Sequence, residues 1–319
     1  LQFLVRFTGV QVAPGFCFMA GFMVAWTSAS RAGRGVSESD VTRRLAVRGL
    51  VLIGVDAVVF GIPRAFGGFY SFMVLSMIGV SLIVLAFVRR FPPGVLLVGA
   101  LAVLLLHPRV AVSALPTPLR AVLYEPIREG AFRSMYPVIP WMGLVLLGFV
   151  VGRDAVSREH RERFWLAMGA MCLVFCFAIR LWGGYGNAYP TAEVTTREFW
   201  FFAKYPPDLP FLGWALAVNF LTLALIHRLC RSGVPRLVEP LAVFGRVSFF
   251  FYVTHFFLLG IARGFGVNVR IRQLEKAYSY ERSELASALA GFLSDLKLTP
   301  ADVPGVNNRF IASLVKGEI

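Results

Sequence analysis

The sequence predicts an all-α fold, a polytopic transmembrane helix bundle of about eight spans with a short polar helical tail, and three observations predict it. Apolar residues make up 57% of the 319 positions and charged residues only 16%, with 30 Phe and a mean hydropathy of +0.68, which is far too apolar for a water-soluble domain. The apolar residues gather in runs approaching the length of about 20 that crosses roughly 30 Å of hydrocarbon. The arginines gather in the loops between alternate runs.

In chain order the spans fall at 9–28, 45–62, 69–88, 94–107, 136–152, 164–182, 210–227 and 241–262, the fourth with room to continue through Pro108 to Leu115. One set of alternate loops holds thirteen arginines, among them Arg31, Arg34, Arg89, Arg90, Arg153 and Arg228. The other set, longer in total, holds seven basic residues, among them Arg109, Arg133 and Lys204. Lys and Arg are retained on the cytoplasmic side, so the first set is expected inside and the N-terminus of this stretch outside. Topology and attraction to anionic lipid then account for the net charge of +14, and no nucleic-acid partner is needed. The expected setting is integral to a bilayer, a bacterial inner membrane; oligomer formation is left open.

The chain starts at Leu1 without the pattern of a signal peptide, and an upstream span is expected. Cys17, Cys172 and Cys176 lie inside spans and Cys230 in an inner loop, so no external disulfide framework is available. Cys172 and Cys176 share a helix face, but no acid or histidine completes a tetrahedral set; no metal is expected. Two regions are read: a transmembrane domain over 1–262 and a polar tail over 263–319. In the tail, Leu285, Leu289, Phe292 and Leu296 recur at helical spacing, and Thr299 before Pro300 marks a second helix start. Eight spans put the tail outside, although Arg263, Arg270 and Arg272 would suit the cytoplasm.

Ionisable groups inside spans cost of order 3 kcal/mol at mid-bilayer and are functional candidates for that reason. Arg48 and Arg246 stand near inner helix ends, where snorkelling reaches water; they are read as anchors or as contacts to the phosphates of an anionic cofactor. Asp56 and His255 stand at matched depth near the outer side. A carboxylate beside an imidazole would set its tautomer and prepare a general base, the alternative being a histidine satisfied by a backbone carbonyl or by Tyr252. Ser248, Tyr252 and His255 share one face of an aromatic helix. Of the remaining histidines, only His107 is placed to face an external substrate.

Outer loops add Tyr136 and Trp141 in YPVIPW and Tyr185 and Asn187 in GGYGNAYP, residue types used by sugar-binding surfaces and by interfacial belts alike. KYPPDL supplies Lys204, Tyr205 and Asp208, its two charges read either as a surface ion pair or as substrate-positioning groups. Prolines 137, 140, 206, 207 and 210 imply irregular backbone around a shaped cavity.

Taken together, RFTGVQVAPGFCFMAGF (6–22), YPVIPWMGLVLLGFVVGR (136–153), GGYGNAYP (183–190), FFAKYPPDLPFLGW (201–214) and PLAVFGRVSFFFYVTHFFLLG (240–260) resemble, in order, the integral-membrane acyltransferases related to the heparan-alpha-glucosaminide N-acetyltransferase catalytic domain. The resemblance implies that acetyl-CoA is used at the cytosolic face and that its acetyl group reaches an amino sugar or other glycan outside. It implies a first span with an LDxxRG-like motif before Leu1. Many relatives carry a histidine before the AP of APxFxFxAG, where this chain has Gly9, Val10, Gln11 and Val12. On this reading His255 and Asp56 are the catalytic candidates. Lys204, Tyr205, Asp208, Tyr136, Trp141, Tyr185, Asn187 and Tyr252 are the substrate-binding candidates, and Arg48 and Arg246 the candidates for acetyl-CoA. Two other classes stay open: a proton-coupled secondary transporter, for which no internal repeat is visible, and a catalytically degenerate membrane scaffold.

Overall fold

Helices carry the chain because backbone in hydrocarbon must satisfy its own N–H and C=O groups. The computed structural model describes residues 12–61, 68–109, 114–127, 130–157, 161–188, 193–233, 235–236 and 238–262. The tail expected over 263–319, with its two helix starts, lies outside the described residues. Two compact units divide the chain, Leu1–Arg236 and Leu237–Ile319.

The first unit contains α1 (Val12–Ala32), α2 (Glu38–Asp56), α3 (Val74–Val88), α4 (Pro93–Leu106), α5 (Thr117–Leu123), α6 (Val138–Ser157), α7 (Arg161–Trp182) and α8 (Leu209–Leu229). Four of these, α1, α6, α7 and α8, are long and apolar enough to cross a membrane, and α3 and α4 are apolar but shorter. The run expected at 45–62 belongs to a helix that starts earlier, because Ser37 caps it by accepting a hydrogen bond from the Asp40 amide at 3.1 Å. That helix widens into a π-helical turn over Ala57–Gly61. Helix α4 tightens into a 3-10 turn over His107–Arg109, where Pro108 has no N–H to continue the ladder. Two three-residue strands were not expected: β1 (Tyr70–Phe72) and β2 (Phe132–Ser134) pair in parallel, Tyr70 opposite Phe132, and tie two interhelical segments together.

Helix α6 is the central element, packed by α1, α3 and α4, while α7 packs on α8 and α2 on α3. Its sequence GFVVG places Gly148 and Gly152 on one face, the small-residue spacing that lets membrane helices approach closely. A Cβ on Gly148 would run into the Phe18 carbonyl of α1, and one on Gly21 into the Val145 carbonyl of α6. Beside this contact, Phe18 meets Phe220 at 5.3 Å between ring centroids and Trp165 stacks on Phe220 at 6.1 Å. Those aromatics join α1, α7 and α8.

In the second unit the described residues form α9 (Glu239–Arg246) and α10 (Ser248–Ala262). The continuous span expected at 241–262 is therefore two helices. Val247, at φ −107° and ψ 17°, leaves the helical region of backbone space and divides the two.

Candidate functional site

Helix direction in the first unit gathers the N-termini of α6 and α8 and the C-terminus of α4 at one end. Helix α8 begins where it does because Asp208 caps it: Oδ1 accepts from the Phe211 amide at 2.8 Å and Oδ2 from the Ala203 amide at 3.1 Å. Asp208 is buried. Burial pushes its carboxyl up to about 6, against the lowering effect of the Phe211 and Ala203 amides and the Arg180 charge. Both oxygens are committed to backbone, and among the described residues no ion pair joins Asp208 to Lys204. The surface pair considered for KYPPDL is replaced by a buried cap and a separate lysine.

Lys204 lies half-buried over aromatic rings, its Nζ 5.1 Å from the Tyr205 centroid and 6.0 Å from that of Tyr136, within reach of the ring quadrupoles. The Tyr205 hydroxyl donates to the Tyr136 hydroxyl at 2.6 Å. Behind them Trp141, 5.2 Å from the Tyr136 ring, has no exposure at all, so it belongs to the core rather than to an open sugar-binding face. Its indole N–H is buried without a hydrogen-bond partner. The structure thus brings Lys204, Tyr205, Tyr136 and Trp141 together.

Other candidates act as staples. His107 is buried, with Nδ1 2.9 Å from the Leu104 carbonyl and Nε2 2.9 Å from the Pro207 carbonyl; it ties α4 to the KYPPDL segment instead of facing outward. The Tyr185 hydroxyl donates to the Leu105 carbonyl, under the Arg109 guanidinium at 4.5 Å. Asn187 donates to the Ile179 carbonyl at 2.7 Å and accepts from Arg180 at 3.2 Å. Arg180 is the residue that sequence reasoning missed. Buried at the C-terminal end of α7, it also donates from Nε to the Phe199 carbonyl at 2.8 Å, holding the segments that carry Asn187 and Phe199 to the helix. An arginine inside an apolar run was the available signal.

Asp56 is fully buried at the junction of α2 with its π turn. Oδ2 accepts from the Met73 amide at 3.0 Å and from the Ser76 hydroxyl at 2.7 Å, so this carboxyl caps the start of α3 from another element. Oδ1 is buried and makes no hydrogen bond. Arg48 lies exposed on α2. At the end opposite Lys204, where α1, α3 and α6 finish and α2 starts, a pocket of about 550 Å³ is lined by Arg89, Arg90, Arg153 and Glu38.

In the second unit His255 stacks on Phe251 at 5.8 Å and meets Tyr252 edge-on at 5.5 Å. Its Nδ1 lies 3.2 Å from the Phe251 carbonyl. A carbonyl only accepts, so in the neutral ring Nδ1 bears the hydrogen and Nε2 is the basic nitrogen. Arg246 is exposed at the end of α9. Among the described residues no three His, Cys, Asp or Glu side chains gather as a metal site.

Apolar helices that run between a basic end and an aromatic, lysine-bearing end are the setting in which the comparison with known families is informative. The family described as "Heparan-alpha-glucosaminide N-acetyltransferase, catalytic" matches residues 1–180. The chain belongs to that family. No curated protein and no solved structure matches it. Within the part matched to the N-acetyltransferase family lie Arg48, Asp56, Tyr136 and Trp141; Tyr185, Asn187, Lys204, Tyr205, Asp208, Arg246, Tyr252 and His255 lie beyond it. The family makes the chain a membrane acetyltransferase in type, and the apolar helices make it integral to a membrane.

Proposed function

We propose that this protein moves an acetyl group from cytosolic acetyl-CoA to an amino sugar or other glycan on the outer side of a bacterial inner membrane. The observation that carries this reading is the match to the N-acetyltransferase catalytic domain across helices α1 to α7. The acceptor nitrogen or hydroxyl attacks the thioester carbonyl, the C–S bond breaks, the CoA thiolate leaves, and the acceptor gives up a proton. His255 takes that proton on Nε2 as general base. Asp56, whose buried Oδ1 makes no hydrogen bond, is the second catalytic candidate.

Lys204 and the Tyr136–Tyr205 pair bind the acceptor. An ammonium over two rings suits a hydroxylated or anionic group, and phenols stack on the faces of sugars while bonding their edges. Tyr185, Asn187 and Asp208 act one step back, by shaping the outer loops through the backbone bonds described above. Trp141 forms the floor behind Tyr136, and Tyr252 orients the His255 ring. The anionic half of acetyl-CoA is received on the cytosolic side, with Arg48 of the first unit and Arg246 of the second as the candidate contacts.

Proteoliposomes given radiolabelled acetyl-CoA on the basic side test the reading. Label should appear on enclosed glycan or peptidoglycan fragments and fall by about 100-fold or more in His255→Ala, the usual scale of a general base. Folded protein that transfers no label to any amino sugar or glycan would sink it.

A further inference from the structure

The pocket at the basic end has the parts of an anion site. Arg89 ends α3 with its side chain only 6% exposed. One terminal nitrogen meets Glu38 Oε2 at 2.6 Å, the Glu38 carbonyl at 3.0 Å and the Thr42 hydroxyl at 3.2 Å. Its Nε is buried with no hydrogen-bond partner. Arg90 reaches the same Glu38 oxygen at 3.9 Å. Arg153, on α6, donates to the carbonyls of Arg89 at 3.4 Å and Phe91 at 3.3 Å, which stations its guanidinium on the pocket wall. From α1, the Ser28 hydroxyl lines the pocket, also buried and without a partner.

Three guanidinium groups and one carboxylate line the space, so positive charge is in excess there. The carboxylate is the loosest member: the Glu38 side chain is 61% exposed, and such a half-solvated ion pair is cheap to open. A phosphate offers more oxygens and bonds guanidinium groups in pairs, and about 550 Å³ is within the ordinary range for a small-ligand site.

We propose that this pocket binds a phosphate ester or diphosphate group, and that Glu38 is its internal counter-anion, holding Arg89 until the ligand displaces it. Arg89, Arg90 and Arg153 supply the charge and Ser28 a hydroxyl donor. The device keeps a buried arginine paired when the pocket is empty of ligand and makes affinity depend on breaking that pair. Naming the natural ligand as the nucleotide end of the acyl donor rests on the transferase reading; the anion site itself does not.

Calorimetric titration of the purified full chain with inorganic pyrophosphate and with coenzyme A tests the proposal, alongside native mass spectrometry after reconstitution in phosphatidylglycerol or phosphatidylcholine nanodiscs. Binding should weaken about tenfold or more in Arg90→Ala and in Arg153→Ala, and should tighten severalfold in Glu38→Gln. Arg90 is exposed, so its variant keeps the test sound should Arg153→Ala fail to fold. Arginine-dependent retention of phosphatidylglycerol without binding of the soluble probes would assign the site to a lipid headgroup and uphold the anion site. No anion binding by the wild type, or binding indifferent to both arginine variants, overturns it. Equal affinity in wild type and Glu38→Gln removes the role of Glu38. Arginine-dependent binding without acetyl transfer upholds the pocket and defeats the transferase reading.

Discussion

Lys204 and Asp208, four residues apart, have opposite fates. Asp208 spends its carboxylate on two amides, whereas Lys204 keeps an ammonium over Tyr205 and Tyr136. Lys204→Ala is expected to raise the acceptor KM by about tenfold while leaving kcat within a factor of a few, as loss of uniform binding requires; steady-state acetyl transfer at varied acceptor concentration checks it. For Asp208, the folded carboxyl titrates at about 6 against 3.8 for the ordinary group. Between those values the native state holds a proton the unfolded state has released, so stability falls as pH rises from about 4 to about 6 and levels off above. Thermal melts across that range should show the decline in wild type and lose it in Asp208→Asn. Nothing local in the sequence separated these two charges, nor the buried Trp141 from an interfacial tryptophan, because a core aromatic and a belt aromatic have the same neighbours in sequence.

Helices were legible as apolar runs, and an end was legible where proline marks it, as at Pro210 in the first turn of α8; the cap at Ser37, which starts α2 ahead of its apolar run, was not read. Ser37→Ala should cost about 0.5–2 kcal/mol, measured as a lower melting temperature in detergent. The contact of α1 with α6 was not read from the sequence, although GFVVG writes half of it. Gly148→Ala should destabilise the bundle by about 1–3 kcal/mol or more, since backbone rather than a flexible side chain stands in the way. Gly54→Ala, where a Cβ meets nothing, serves as the neutral control. The break at Val247 and the π turn after Asp56 were also unread: each follows from backbone angles at positions whose residue types are at home in a helix.

Across the first unit, charge and chemistry divide between two ends. One end presents Arg89, Arg90 and Arg153 around a pocket; the other presents Lys204 over paired phenols. This is the division a reaction needs when its anionic donor and its acceptor arrive from opposite sides of a membrane. Reversing the liposomes, so that acetyl-CoA meets the Lys204 end, should reduce labelling to background; equal labelling from either side would defeat the sidedness. Composition, apolar run length and arginine placement determined by themselves that the chain is helical and membrane-embedded, because each depends only on how many apolar or charged residues occur in a row. Pairing is different in kind. That Asp56 caps α3, that Arg180 and His107 staple loops, and that Glu38 holds Arg89 depend on groups distant in sequence meeting at about 3 Å, and only tertiary packing decides which polar groups find one another.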